Sequence, residues 1–231
     1  ADINNDISEL FSKTWIATQL RSYALSIVHA DIILLTSFFD GFNDNTLVDF
    51  DLNYSLPPTI SLVYDLIPLI HSKTYLEKDE EYKEFYYKKI HDLKKLDALL
   101  TISESSKQEI QKYTEFKSHQ VFNISAACNI NLFNYDKTKD YNSYTNIKNF
   151  GEYFLYTGAI DPRKNLYFLL EAYSMLPLHL STKHKLVLVG PFSEKQVRLI
   201  KIWVNDLKIS FHNIVILGFV SDTFLVNLYR N

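Results

Sequence analysis

The stretch YFLYTGAIDPRKNLYFLLEAY, Tyr153–Tyr173, decides the fold of this chain. Tyr153–Thr157 is a short, apolar, aromatic-rich run of the kind expected for a strand. Gly158 lies in a short turn, Asp161 and Pro162 fix the direction of that turn, and Arg163 and Lys164 precede a helical pattern opening at Asn165. This order sets two cations and a helix N-terminus at the carboxyl end of a strand. Unsatisfied backbone N–H groups and the helix dipole attract phosphate there, and in an open α/β sheet ligands sit at such points. Arg offers phosphate a bidentate fork and Lys a mobile point charge. A phosphate-bearing ligand is the resulting expectation, with Asn165 placed to cap the helix. An Arg-Lys pair before a helix is also common on plain surfaces, so pattern alone leaves both readings open.

The same alternation extends outward. Strand-like runs occur at Ile32–Leu35, Ile60–Tyr64, Ala98–Ile102, Gln120–Ile124, Lys185–Val189 and Ile214–Leu217, most of them continuously apolar. Helical patterns lie between them near Ser8–Val28, Glu77–Leu96, Glu104–Tyr113, Asn165–Leu176, Glu194–Leu207 and Asp222–Arg230. In Glu77–Leu96 the residues Tyr82, Phe85, Tyr86, Ile90 and Leu93 form one apolar stripe, with acids crowding the first half and lysines the second, as the helix dipole favours. Strands alternating with helices predict an α/β fold with parallel sheets. The polar stretch Asn134–Asn149 is expected to be a linker or surface loop, dividing the chain into domains 1–133 and 134–231.

Composition excludes several functions. The net charge is −3 over 231 residues, and the 15% aromatic content is spread rather than gathered in a basic stripe, so no nucleic-acid partner is expected. One cysteine, Cys128, allows no internal disulfide and fits a reducing compartment. No apolar run reaches the ~20 residues of a membrane span, and the N-terminus lacks signal-peptide regions. A cytoplasmic protein is expected. The seven histidines show no HxxxH spacing, and neither CxxC nor GxSxG nor GxxxxGK[ST] occurs. A protein-bound metal, a thiol or serine nucleophile and a P-loop are therefore not expected.

Other strand ends carry polar groups. LGFVSD, Leu217–Asp222, follows a strand, with Gly218 for a tight turn, Ser221 or Asp222 to open the last helix, and the Phe219 and Val220 backbone able to meet a flat base. On pattern alone, a plain connecting loop is the better account of that segment. Asp65, just after Ile60–Tyr64, can orient a hydroxyl or hold a proton, and Pro68 is expected to keep a helix from starting at once. Ser103 stands at the corresponding place after Ala98–Ile102, where a helix cap is the better account of it. SFFDGFND, Ser37–Asp44, adds Ser37 and Asp40 after a third strand.

Taken together, these residues resemble glycosyltransferase family 4, retaining enzymes with the GT-B fold, from about Asp31 to Asn231. FLYTGAIDPRKNLYFLLEAYSMLP resembles the strand–loop–helix opening that family's C-terminal, donor-binding domain, and KLVLVGP and IVILGFVSDTFLVNLYRN its next two units. YDLIPL, LLTISESSKQEI and VFNISAACNINLF resemble the later half of the N-terminal, acceptor-binding domain. The resemblance implies parts of two Rossmann-like domains: 1–133 on the acceptor side and 134–231 on the donor side.

Carried over residue by residue, the resemblance puts Gly158, Arg163 and Lys164 on the donor diphosphate and Phe219, Val220 and Asp222 near the base and ribose. Asp65 becomes the catalytic-side carboxylate, with Ser37, Asp40 and Ser103 in acceptor-side loops. It implies transfer of a hexose, mannose being one candidate, from a nucleotide-diphosphate sugar to a glycan or lipid-linked glycan, with bacterial surface polysaccharide as the product. No metal or further cofactor is implied, and the full-length protein would sit in the cytoplasm at the inner membrane face. A non-catalytic GT-B-like binding or scaffolding domain is the alternative. The chain departs from the pattern at Tyr64, where many relatives have His, at Asn129, where Asp is common, and at Ala127, where Gly is usual. The family's N-terminal Gly-rich loop and its two-glutamate motif are missing, and the last helical pattern has no stop signal. The chain is thus expected to be an internal fragment with little transferase activity alone.

Overall fold

The computed structural model describes residues 13–44, 46–133, 147 and 149–231, the side chain of Asn131 excepted. These fall into two compact units, Ala1–Ala127 and Cys128–Asn231. The boundary drawn from composition stood at 133/134, and most of the expected linker Asn134–Asn149 lies outside the described residues.

The first unit runs α1 (Lys13–Ile27), β1 (Ile33–Leu35), β2 (Thr59–Val63), α2 (Ile67–Ile70), α3 (Ser72–Tyr75), α4 (Glu80–Asp92), β3 (Ala98–Thr101), α5 (Glu104–Tyr113) and β4 (Val121–Asn123). Its strands form one parallel sheet in the order β1-β2-β3-β4. Along β2, Thr59, Ser61 and Val63 are buried, and the Ser61 hydroxyl donates to the Leu35 carbonyl at 3.0 Å. Val63, Leu66, Leu93, Leu99, Ile110 and Val121 make the core around this sheet. The α4 N-terminus is fixed by Asp79, which accepts from the Tyr82 amide at 2.9 Å. Pro68 is the second residue of α2, so it begins a helical turn rather than delaying one. A first-turn proline gives up an N–H that has no partner inside a helix anyway.

Helix α4 also buries a charge. Lys89 is 3% exposed; its Nζ lies 2.6 Å from Asp49 Oδ1 and about equally far, 5.5 and 5.4 Å, from the Phe38 and Phe85 ring centres. Lys88 takes the other oxygen, Asp49 Oδ2, at 2.7 Å. Burial would raise the Asp49 pKa, but hydrogen bonds and charge from Lys88 and Lys89 outweigh it and hold the carboxyl below its ordinary 3.8.

The second unit runs α6 (Ile130–Phe133), β5 (Glu152–Thr157), α7 (Leu166–Ser174), α8 (Leu178–Lys183), β6 (His184–Val189), α9 (Glu194–Asp206), β7 (Ile214–Gly218) and α10 (Asp222–Arg230). Its three parallel strands are ordered β5-β6-β7. The central strand explains its own apolar run. Leu186 and Leu188 pack with Leu170, Ile200 and Val204 on one face, while Val187 and Val189 pack with Ile147 and Leu228 on the other. A strand covered on both faces has no polar side to show. Ser193 caps α9 in a reciprocal box with Gln196, and Ser221 rather than Asp222 caps α10. The Tyr153 hydroxyl donates to the Leu228 carbonyl at 2.7 Å, tying α10 to the sheet. Among the described residues no helix is long and apolar enough to cross a membrane.

A glycine ends each strand of this sheet. Gly158 follows β5, Gly190 follows β6 and Gly218 is the last residue of β7, three of the chain's five glycines. The Gly158 amide donates to the Val189 carbonyl at 2.9 Å and the Gly190 amide to the Gly218 carbonyl at 3.0 Å. A Cβ on Gly190 would overlap the Gly158 carbonyl oxygen, so only glycine permits this approach. Gly218 has open space but a φ of +69°, so its requirement is conformational.

Two outcomes follow from these packing facts. Asp49→Asn leaves buried Lys89 without its counter-charge and is expected to cost about 3 kcal/mol, read as a lower urea midpoint for the first unit at neutral pH. Because the folded pKa of Asp49 is depressed, its stabilisation is present above the unfolded value and lost as pH falls through the folded one. The variant should therefore show a shallower loss of stability in acid below about pH 4. In the second unit, Gly190→Ala is expected to cost about 3 kcal/mol by overpacking, and Gly218→Ala only about 1–2 kcal/mol by left-handed backbone strain. Equal midpoints for the two alanine variants would contradict the ordering.

Candidate functional site

The carboxyl edge of the second sheet gathers the residues marked by the opening stretch. The Tyr156 side chain turns back under the loop, its hydroxyl donating to the Ala159 carbonyl at 2.9 Å. Burial, with a smaller contribution from Asp161, raises its pKa, so the phenol stays a neutral donor. Asp161 caps a 3-10 turn, Pro162–Lys164, by accepting from the Arg163 amide at 2.8 Å. The same carboxylate takes the Arg163 side chain in a two-point clasp, Nε to Oδ1 at 2.9 Å and Nη2 to Oδ2 at 3.1 Å. The two cations are thus unequal. Lys164 is exposed, its side chain has no hydrogen bond or ion pair among the described residues, and its Cδ lies 3.8 Å from where a Cβ on Gly158 would stand.

Asn165 does not cap α7 as expected. It sits in the left-handed region, φ 51° and ψ 43°, closes the 3-10 turn through its amide, and makes no side-chain cap bond. The consequence concerns the helix amides. Helices α4, α5, α9 and α10 each have a side-chain cap, from Asp79, Ser103, Ser193 and Ser221. Helix α7, of nine residues, has none, so its first N–H groups stay open next to Lys164. After β7, which β6 separates from β5, Phe219 is 84% exposed, Asp222 is exposed in the first turn of α10, and Val220 packs into the cluster around Val187 and Leu228.

The first unit has its own concavity, a pocket of about 250 Å³ at the carboxyl edge of its sheet. It brings together Ser37 and Asp40 from the loop after β1 and Asp65 from the loop after β2. Asp65 Oδ1 accepts from the Ile67 amide at 3.0 Å, which fixes the carboxylate at the start of α2. Ser103 does not line this pocket. Its hydroxyl accepts from the Ser106 amide at 3.1 Å and pairs with the Ser106 hydroxyl at 2.9 Å; the Ser106 hydroxyl donates to the Tyr64 carbonyl at 2.6 Å. Ser103 therefore braces the backbone just before Asp65 and offers no separate contact to this pocket.

Sequence reasoning missed the pocket's other wall. Tyr82 and Tyr86, read only as part of an apolar stripe on α4, line it together with Phe39. Tyr86 stacks on Phe39 at 5.1 Å. Burial, and to a lesser degree the nearby Asp65 charge, raises the pKa of both phenols, so both remain protonated. Hydroxyl-bearing aromatics four residues apart on the stripe were the available signal. Gly190 was missed as well, because only the strand pairing shows what its missing side chain makes room for.

No family model matches the chain. Three curated Escherichia coli proteins, each described as serotype-specific mannosyltransferase WbdA, are 30% identical to it over 216 residues, 93% of this chain and 26% of each relative. The chain thus spans about a quarter of the length of the curated relatives it matches. Among solved structures, WaaG, a glycosyltransferase involved in lipopolysaccharide biosynthesis, superposes with a TM-score of 0.61 at 14% identity, over 94% of this chain and 56% of WaaG. A glycosyltransferase from Rickettsia africae gives 0.57 at 16% identity, over 95% and 54%. Anabaena HepE in complex with UDP-glucose gives 0.53 at 19% identity, over 74% and 44%. Homologous along nearly its whole length to a segment of the WbdA mannosyltransferases, the chain has the parallel α/β architecture of the GT-B glycosyltransferases.

Proposed function

We propose that this chain contributes parts of both domains of a retaining glycosyltransferase. It moves a hexose, mannose by the likeness to WbdA, from a nucleotide-diphosphate sugar to a glycan or lipid-linked glycan in bacterial surface polysaccharide synthesis. The observation that carries this reading is the uncapped N-terminus of α7 beside the unpaired Lys164 and the glycine-lined strand ends. HepE, which shares the fold, has been seen with UDP-glucose.

The chemistry follows from charge. As the bond between sugar and diphosphate breaks, the sugar becomes oxocarbenium-like and negative charge gathers on the leaving group. Lys164 and the open amides at Leu166 and Tyr167 meet that charge without having to reorganise. Gly158 lets the backbone come close to the phosphates, and Arg163 joins once its fork exchanges Asp161 for a phosphate. Phe219, Val220 and Asp222 take the base and ribose side. Asp65 orients the attacking hydroxyl on the acceptor side, held by the Ile67 amide and braced through Ser103 and Ser106. The reading requires no metal, and it places the protein in the cytoplasm, with lipid-linked acceptors at the inner face of the membrane.

The test is Lys164→Ala in an active protein containing this chain. Turnover is expected to fall by ~10²-fold or more, the scale for losing one charge-stabilising group, and nucleoside-diphosphate binding to the chain itself should weaken. Near-normal turnover in the variant would sink the leaving-group role. Nucleotide-sugar binding without turnover, in a protein extending over the full length of the relatives, would instead favour a binding or scaffolding domain.

A further inference from the structure

The pocket of the first unit carries a statement about what it accepts. Among the described residues its walls hold two carboxylates, Asp40 and Asp65, and no Lys, Arg or His. The buried cation of the region, Lys89, is committed to Asp49. Asp65 uses one oxygen on the Ile67 amide; its second oxygen and both oxygens of Asp40 have no protein partner among the described residues. Ionised carboxylates only accept hydrogen bonds, so the free valences call for donors. Ser37 and Tyr82 add hydroxyls that can donate or accept. Phe39 and Tyr82 supply flat apolar surface beside them.

A ligand that offers several hydroxyl donors around an apolar ring face fits this set. At about 250 Å³ the space lies just below the ~300 Å³ at which drug-sized pockets begin, which suits a single ring rather than an oligomer. We infer that the pocket takes one uncharged pyranose, bound through its hydroxyls by Asp40 and Asp65, and rejects sugars bearing carboxylate or phosphate. That this ring is the acceptor's end residue rests on the transferase reading above; the charge rule rests on the pocket alone. An anionic sugar would place a third negative charge against two carboxylates with no cation among the described lining residues to offset it.

Nuclear magnetic resonance titration of the 231-residue chain tests this, with methyl α-mannopyranoside and methyl glucopyranoside against methyl glucuronide and mannose 6-phosphate. The neutral glycosides should shift amides around Ser37, Asp65 and Tyr82 at millimolar concentration, and the anionic sugars should bind at least ~10-fold more weakly. Asp40→Asn should narrow that gap by ~10-fold, because removing one carboxylate relieves the repulsion more than it costs in hydrogen bonding. Equal or tighter binding of the glucuronide, an unchanged gap in Asp40→Asn, or no shift in this pocket from any neutral glycoside would each overturn the inference. Uridine and guanosine diphosphate titrated into the same sample report on the other unit. Glycoside shifts without nucleotide shifts near Lys164 would count against the transferase reading and leave the pocket's charge rule standing. Nucleotide shifts without glycoside shifts would do the reverse.

Discussion

Parallel hydrogen bonding between strands is the constraint from which both candidate sites follow. Every strand of both sheets runs the same way as its neighbours, so each connection must leave from one edge and return to the other. The strand-to-helix loops therefore collect at the carboxyl edge of each sheet. Ser37, Asp40 and Asp65 meet there in the first unit, and Gly158, Gly190 and Gly218 in the second, although none of these residues is close to the others of its group in sequence except Asp40 to Ser37. The sites are a product of topology, and the particular side chains decide what chemistry each edge can perform.

How firmly each edge is held depends on different physics. In the first unit the pocket's aromatic wall rises from α4, and α4 is anchored by a buried ammonium. Lys89 reaches Asp49 in the segment before β2 and lies against Phe38 and Phe85. An isolated charge at that depth would be costly, and its pairing makes the position of the helix specific. Among the described residues of the second unit no buried charge takes part. Backbone amides lace the three strand ends, and Gly190 lets the Gly158 carbonyl pass within contact distance. One edge is held by electrostatics inside a core, the other by the absence of side chains.

Most of the architecture was legible in the sequence because short apolar strands leave continuous runs and amphipathic helices leave a periodic trace. All seven expected strands are present, from Ile33–Leu35 to Ile214–Gly218, and Glu104–Tyr113 and Asp222–Arg230 begin and end as expected. The short helices Ile67–Ile70, Ser72–Tyr75, Ile130–Phe133 and Leu178–Lys183 were missed, since four to six residues are too few to establish a period. Pro68 was misjudged because a proline that stops a helix interior is at home in a first turn. Asn165 was misjudged because its left-handed backbone, set by the preceding 3-10 turn, turns it into the end of that turn instead of a side-chain cap. In the pocket, Ser37, Asp40 and Asp65 could be read from their places after strands. Tyr82 and Tyr86 left only the spacing of their hydroxyls as a signal, since an apolar stripe does not say which of its members will face a cavity.

The Asp161–Arg163 clasp changes how the opening motif must be understood. In the sequence, Arg163 and Lys164 look like a double positive charge. In the folded turn Asp161 neutralises the guanidinium at 2.9 and 3.1 Å and also caps the same turn, so the net charge offered before any ligand arrives is that of Lys164 and the α7 dipole. Under the proposed function, a diphosphate would have to compete with Asp161 for the Arg163 fork. Two phosphates carry more charge and more acceptor oxygens than one carboxylate, so the exchange favours a diphosphate over a single weak anion. The clasp also keeps the guanidinium oriented while it waits, which reduces the ordering that ligand binding would otherwise demand. An acidic residue next to the cations therefore need not weaken a phosphate site. At this turn, under the proposed function, it would make the site selective for the more highly charged ligand and leave Lys164 as the cation that an anion meets first.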